Sequence, residues 1–179
     1  MKYPKESKYA PVIRSNQPRM FIMRNDQSFQ SDGVDFELNH GDSILLDVDS
    51  EGFLKTIAIR NSEITGNGKI AVSLKTYQEI KRFTAEHIKF KVGTLLHIQG
   101  IEKSISRNWT ISGYFYANNV KAKYLMKTEN VMKGDACNIN QVKITSCKDT
   151  EYGLHFDSAS CTFKSVSYTH LTLPTILLV

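Results

Sequence analysis

Apolar and polar residues alternate in short runs along most of this chain, a period of two that predicts strands. Arg19 to Arg24 (RMFIMR) is a brief apolar run bounded by polar residues. Val34, Phe36 and Leu38 alternate with Asp35 and Glu37. Ser43 to Val48 (SILLDV) predicts a further strand, closed by a tight turn at Asp49-Ser50-Glu51-Gly52. In Phe53 to Arg60 the alternation sets Phe53, Lys55, Ile57 and Ile59 on one face and Leu54, Thr56, Ala58 and Arg60 on the other. Asn61 to Gly68 reads as a loop, and Lys69 to Leu74 as a strand with Ile70, Val72 and Leu74 inward.

One segment carries a helical signature. Thr76 and Glu79 have the spacing of a capping box, in which each side chain satisfies a free backbone N–H at a helix start. Tyr77, Ile80, Phe83 with Thr84, and Ile88 follow at helical spacing, while Lys81, Arg82, Glu86 and Lys89 face away. The helix is predicted to stop before Gly93. Thr94 to Ile101 then predicts a strand, Glu102 to Asn108 a basic loop, and Trp109 to Lys123 a long aromatic strand. Beyond a break at Gly134-Asp135, Asn138 to Thr145 and Gly153 to Asp157 read as hairpin strands. No internal repeat and no low-complexity tract is visible.

Charge changes this picture, because it is uneven. Residues 69–133 hold 12 Lys and Arg against 4 Asp and Glu, although the whole chain of 179 residues has a net charge of only +5. Aromatic residues interleave with that basic stretch, a combination suited to single-stranded nucleic acid, whose phosphates need cations and whose bases have flat faces. The order strand, strand, strand, helix, strand, strand over residues 43–123 is that of the OB-fold. Lys69 to Val120 resembles the second half of OB domains in single-strand DNA-binding proteins and replication protein A relatives. The residues that carry the resemblance are the apolar strand before the helix, Val92-Gly93-Thr94-Leu95-Leu96, Gly100, and Phe115-Tyr116-Ala117-Asn118-Asn119-Val120. The loop between the first two strands departs from that family in being acidic, with Asp47, Asp49 and Glu51.

The resemblance implies a mainly β fold, an OB-like five-stranded barrel with one helix between strands three and four, plus extra N- and C-terminal strands. It implies low-specificity binding of single-stranded DNA or RNA. Lys103 and Arg107 would contact phosphates from the loop over the groove, with Arg60 and Lys69 on the groove strands and Lys121 and Lys123 beyond. Trp109, Tyr114 and Tyr116 would offer stacking platforms. The same residues also fit core packing, for Trp109 with Ile111, Phe115 and Ala117, and a solvated lysine-rich surface. Replication proteins or further copies of the chain are the other expected partners. The alternative, from a different class, is a β-rich protein-interaction or assembly module of a virion or replication complex, whose basic surface and tyrosines meet an acidic protein. Chains of the single-strand-binding kind are frequent in phages and mobile elements.

Other chemistry finds little footing, and neither an enzyme nor a cofactor is expected. Asp47, Asp49, Glu51 and Gly52 match the front of a calcium loop, but its twelfth position is Ala58 and not a bidentate Glu. Cys137, Cys147, His155 and Cys161 lack the close pairing of zinc ligands. His40, His87, His97, His155 and His170 are isolated, and there is no Gly-rich phosphate loop. A metal-dependent nuclease built on Asp35, Glu37, Asp47 and Asp49 would need two of those carboxylates to converge. An odd number of cysteines without a secretory leader suggests reduced thiols in the cytoplasm, and no apolar run is long enough to span a bilayer.

Residues 1–17, polar and broken by Pro4 and Pro11, read as a flexible arm. Residues 18–165 form the single β-rich domain, with its OB-like core at 43–123. Residues 166–179 read as a non-native tail, since Ser167 to Val179 (SYTHLTLPTILLV) resembles a translated sequencing adaptor; a C-terminal edge strand is the other reading.

Overall fold

The computed structural model describes residues 10–24, 27–48, 52–75, 78–99, 108–129, 136–156, 160–169 and 176–178. Every strand pairing among them is parallel, and each links segments roughly one coil apart in sequence. The chain therefore winds as a parallel β-solenoid. Its coils have no fixed length: the step between paired residues runs from 22 (Leu154 to Ile176) to 32 (Lys89 to Lys121).

Three faces wrap the interior. The first stacks β1 (Val12–Ser15), β4 (Asp35–Leu38), the end of β6 (Gly52–Gly66), the middle of β8 (Gln78–Gln99) and the start of β10 (Lys121–Glu129). The second stacks β2 (Arg19–Met23), β5 (Ile44–Val48), β7 (Ile70–Lys75), the end of β8, the rest of β10, β12 (Tyr152–Phe156) and β14 (Ile176–Leu178). The third stacks β3 (Ser28–Asp32), the starts of β6 and β8, β9 (Asn108–Asn118), β11 (Ala136–Thr145) and β13 (Ser160–Thr169). Long strands turn corners, so that β6 serves two faces and β8 all three.

Among the described residues, the OB-like barrel expected over residues 43–123 is absent, and so is its helix. Ile80, Phe83 and Ile88 lie in β8 and are buried, but by a strand geometry that imitates helical spacing. The inward positions of β6 are Leu54, Ile57, Ile59, Ser62 and Ile64, and those of β8 are Ile80, Phe83, Ala85, Ile88 and Phe90. Both sets step by three, two, three and two. Each step of three marks a place where the alternation slips. One is an irregularity between Ile80 and Arg82; the other is a corner at His87. A period of two with two such slips places apolar residues at i, i+3 and i+8, as a helix does. Thr76 and Tyr77 of the supposed helix start lie outside the described residues.

The corner itself is built by a column of left-handed residues. Gly33, Asn61, His87, Asn119 and Ser146 have φ of 70°, 50°, 54°, 51° and 55°, and the strand register places them one above another. Among the described residues, the four that are not glycine are all the non-glycine residues with positive φ. Asparagine tolerates this region because its short polar side chain bonds locally. Asn119 Nδ2 donates to His87 Nδ1 at 2.8 Å, and Asn61 Nδ2 donates to Asp32 Oδ1 at 2.6 Å. The backbone continues the ladder through the turn, with Asn119 N–H donating to Thr145 O at 3.0 Å and Ser146 N–H to Thr169 O at 3.1 Å. Of the supposed loop Asn61 to Gly68, the residues up to Gly66 are thus the second limb of β6, with Ser62 and Ile64 buried.

Inside, residues at equal register form columns along the axis. Ile57, Phe83, Phe115 and Val142 make one; Leu46, Val72, Leu96, Met126 and Leu154 make another. Stacked side chains fill the interior from coil to coil, and the contact between neighbouring coils is the usual source of solenoid stability. The supposed hairpin strands at 138–145 and 153–157 do not pair with each other; β11 pairs with β9 and β13, and β12 with β10 and β14. Ser167 to Thr169 continue β13, and Ile176–Leu178 form β14.

Candidate functional site

The groups expected to grip a polyanion are distributed around the solenoid. Trp109 is 1% exposed and lies in the interior beside Phe156, ring centroids 6.5 Å apart. Arg60, Tyr114 and Tyr116 are on the third face. There Arg60 Nε pairs with Glu86 Oε1 at 3.1 Å, and Lys143 Nζ sits 5.8 Å from the Tyr116 ring centroid. Lys121 is on the first face in an ion pair with Asp149, Lys69 is exposed just ahead of β7, and Lys123 stands at the passage from first face to second. Lys103 and Arg107 lie outside the described residues. Among the described residues no shared groove gathers these cations and rings, so the grip on single-stranded DNA or RNA expected from the sequence has no geometric basis. Replication proteins, expected as partners through the same resemblance, lose that support with it.

Of the four carboxylates of the supposed nuclease site, Asp49 lies outside the described residues and the other three have partners of their own. Asp35 Oδ1 accepts the Glu63 N–H at 2.7 Å, Glu37 pairs with Arg14 at 2.7 Å, and Asp47, on a different face, is buried against Arg19 Nη1 at 3.2 Å. Among the described residues no three His, Cys, Asp or Glu side chains could hold a metal ion. Cys147 is a buried free thiol whose pKa is pushed up by burial. Among them, too, no helix is long and apolar enough to cross a membrane.

What the fold does assemble is a ridge on the second face. Tyr124 of β10 and Tyr152 of β12 occupy paired positions, so their rings stack with centroids 4.7 Å apart and planes inclined by 14°. That separation is close to the spacing of adjacent strands, roughly 4.8 Å, which is why register alone makes the stack. Lys123 Nζ and Lys127 Nζ lie 5.7 and 5.5 Å from the Tyr124 centroid, within cation–π range. His155 meets the same ring edge-on at 5.6 Å. Both tyrosines are half-buried, with the apolar body supported by the sheet. Tyr152 has its phenol pKa pushed up by a hydrogen bond to Glu151 and by that carboxylate's charge.

Beside the ridge, His97 Nε2 donates to Glu129 Oε2 at 2.9 Å, and Lys127 Nζ reaches the same oxygen at 3.3 Å. Burial holds the His97 pKa below its ordinary value, against the opposing pull of Glu129 and with help from the Lys127 charge. Burial pushes the Glu129 carboxyl up, but the His97 hydrogen bond and the Lys127 charge outweigh it and hold the pKa low. Neutral His97 is therefore the donor, and its buried Nδ1 has no partner.

Acidification should weaken this cluster. With His97 lowered in the folded state, the unfolded chain takes up its proton first, near an ordinary pKa of about 6.5, so stability falls as pH drops through that value toward the folded one. Glu129 acts at lower pH, its contribution disappearing as pH falls through the carboxylate range. Thermal melts at about pH 7.5 and 5.5 check the sign. His97→Gln keeps a donor for Glu129 and should show the smaller loss of melting temperature; an equal loss would remove His97 as the cause.

Sequence reasoning missed Tyr124, Lys127, Glu129 and Tyr152, and treated His97 and His155 as isolated. The trace that could have found them is short: Tyr124-Leu125-Met126-Lys127 and Tyr152-Gly153-Leu154-His155 match as aromatic, any, apolar, basic, at the step the strand pairing uses. No protein-family model, curated protein or solved structure matches this chain, so the geometry of its own coils is what its function must be read from.

Proposed function

We propose that this chain is a protein-interaction or assembly module that docks through the second face, with a binding role and no catalytic one. The observation that carries this reading is the in-register Tyr124–Tyr152 stack with Lys123, Lys127 and His155 against it. Half-buried tyrosines on a stiff sheet present large contact area with little side-chain entropy to lose, which is why such rings dominate protein interfaces. A ring already flanked by cations suits a partner surface that pairs apolar contacts with carboxylates, and an acidic protein surface fits best. A parallel solenoid favours this use, because its coils fix side chains in rows over a long, nearly flat face.

The test uses the whole chain and Tyr152→Ala, which leaves the interior untouched. Size-exclusion profiles at low and high salt, with absorbance ratios for bound nucleic acid, come first. A salt-resistant oligomer free of nucleic acid that dissociates in Tyr152→Ala supports assembly through this face. Should the chain stay monomeric, quantitative affinity capture from its host is compared between wild type and Tyr152→Ala. A partner lost at least about tenfold in the variant, worth roughly 1.4 kcal/mol, fits an interface anchor. Partners retained equally by both would remove the ridge from the interface.

A further inference from the structure

The third face carries a cleft with a different chemistry. Strand β9 has one residue more than either neighbour between matched positions: Ile111 to Tyr114 spans what Ile80 to Arg82 and Ile139 to Gln141 cover with one residue fewer. The surplus bulges at Ser112 and Gly113, and Asn140 Nδ2 ties the bulge down by donating to Ser112 O. Gly113 is required there, because a Cβ would collide with the Lys81 carbonyl oxygen. The bulge floors a cleft of about 430 Å³, within the size range of small-ligand sites.

The cleft crosses four coils, from β8 through β9 and β11 to β13, about 14 Å along the axis at roughly 4.8 Å per strand. Its lining is ordered by charge. Lys81 and Arg82 stand at one end and Lys164 at the other, none in an ion pair with a described carboxylate. Between them, on β9 and β11, are Ser112, the amides of Asn140 and Gln141, and the ring of Tyr114, with the Ser165 hydroxyl beside Lys164. Among the described residues, no carboxylate and no Ala, Val, Leu, Ile or Met side chain lines it.

The geometry points to a binding site for a carboxylated oligosaccharide lying along the solenoid axis. Separated cations match acid groups on separate sugar units, and the amides and hydroxyls between them match ring hydroxyls as paired donors and acceptors. Tyr114 offers a flat face to a sugar ring. An acidic peptide fits less well. Extended peptides are held largely by main-chain hydrogen bonds to a free sheet edge, whereas β8, β9 and β11 already spend their backbone groups on the coils at either side, and a peptide added to β13, which among the described strands pairs with β11 alone, would run across the end of the cleft and not along it. This site is independent of the docking ridge, which lies on another face.

Isothermal titration of the whole chain with trigalacturonate, beside a neutral trisaccharide, inorganic sulfate and hexaglutamate, tests it. The expected result is saturable binding of trigalacturonate alone, weakened about tenfold by Lys164→Gln and again by Arg82→Gln, as lost charge-assisted hydrogen bonds require. Both side chains are exposed, so unchanged melting temperatures serve as the folding control. Tyr152→Ala should bind trigalacturonate normally, which separates failure here from failure of the docking ridge. The inference is overturned by absence of binding at millimolar sugar or by equal affinity for the neutral trisaccharide. Displacement by equimolar sulfate, or tighter binding of hexaglutamate, also overturns it.

Discussion

Phe115→Ala is expected to lower the free energy of unfolding by about 3–5 kcal/mol, a large fraction of the 5–15 kcal/mol typical of folded domains. Phe115 is fully buried in the column Ile57–Phe83–Phe115–Val142, and its ring stacks on Phe83 with centroids 5.2 Å apart and planes inclined by 10°. Truncation removes the ring's transfer energy and leaves a cavity that rigid coils on both sides cannot close. Solenoid stability is a sum of nearest-neighbour interfaces, and Phe115 belongs to two of them. Chemical denaturation of wild type and variant measures the difference. A loss below about 1 kcal/mol would mean that the ring does not occupy the interior.

Asn119→Val is the second large effect. Valine at a φ of 51° brings a β-branched side chain into a region that costs ordinary L-residues roughly 1–2 kcal/mol. The substitution also deletes the hydrogen bond from Asn119 Nδ2 to His87 Nδ1, worth about 1 kcal/mol. The expected total is about 2–3 kcal/mol. Asn119→Gly separates the two causes, since glycine takes this conformation freely and loses only the side-chain bond, so it should cost about 1 kcal/mol or less. Denaturation midpoints of the three proteins order them. Glycine proving worse than valine would show that left-handed geometry does not govern this corner.

That corner also explains why the sequence reads as a barrel with a helix. Strand propensity was legible over much of the chain, though not at 61–66 or 78–92: the runs at 19–24, 34–38, 43–48, 53–60, 69–74 and 138–145 all belong to strands or their immediate flanks. Period-two logic failed where the backbone slips phase. Leu54, Ile57, Ile59, Ser62 and Ile64 repeat as Ile80, Phe83, Ala85, Ile88 and Phe90, then as Ile111, Phe115, Ala117, Val120 and Ala122. This is an internal repeat, but it hides from a search at fixed period because the coils it joins differ in length. The strand set was therefore visible and its pairing was not. A barrel and a solenoid both need short alternating strands, and only long-range contacts separate them.

The candidate surfaces were less legible still. The basic stretch at 69–133 is continuous in sequence, yet successive residues pass around three faces, so linear density of charge says nothing about density in space. Lys121 meets Asp149 on one face, Lys123 and Lys127 meet Tyr124 on another, and Lys81 and Arg82 edge a cleft on the third. Tyr124 and Tyr152 are 28 residues apart and nothing local joins them, but parallel register brings their rings to 4.7 Å.

By itself the sequence determined that the chain is β-rich and which residues are apolar enough to be buried, and it marked a turn at Asn61 but none at His87, Asn119 or Ser146. Those properties are local, set by side-chain chemistry and φ preference. Tertiary structure alone decided that strands pair in parallel one coil apart, and with that which side chains become neighbours. Register is a long-range choice, fixed when stacked columns such as Ile57–Phe83–Phe115–Val142 fill a common interior, and no window along the chain contains it.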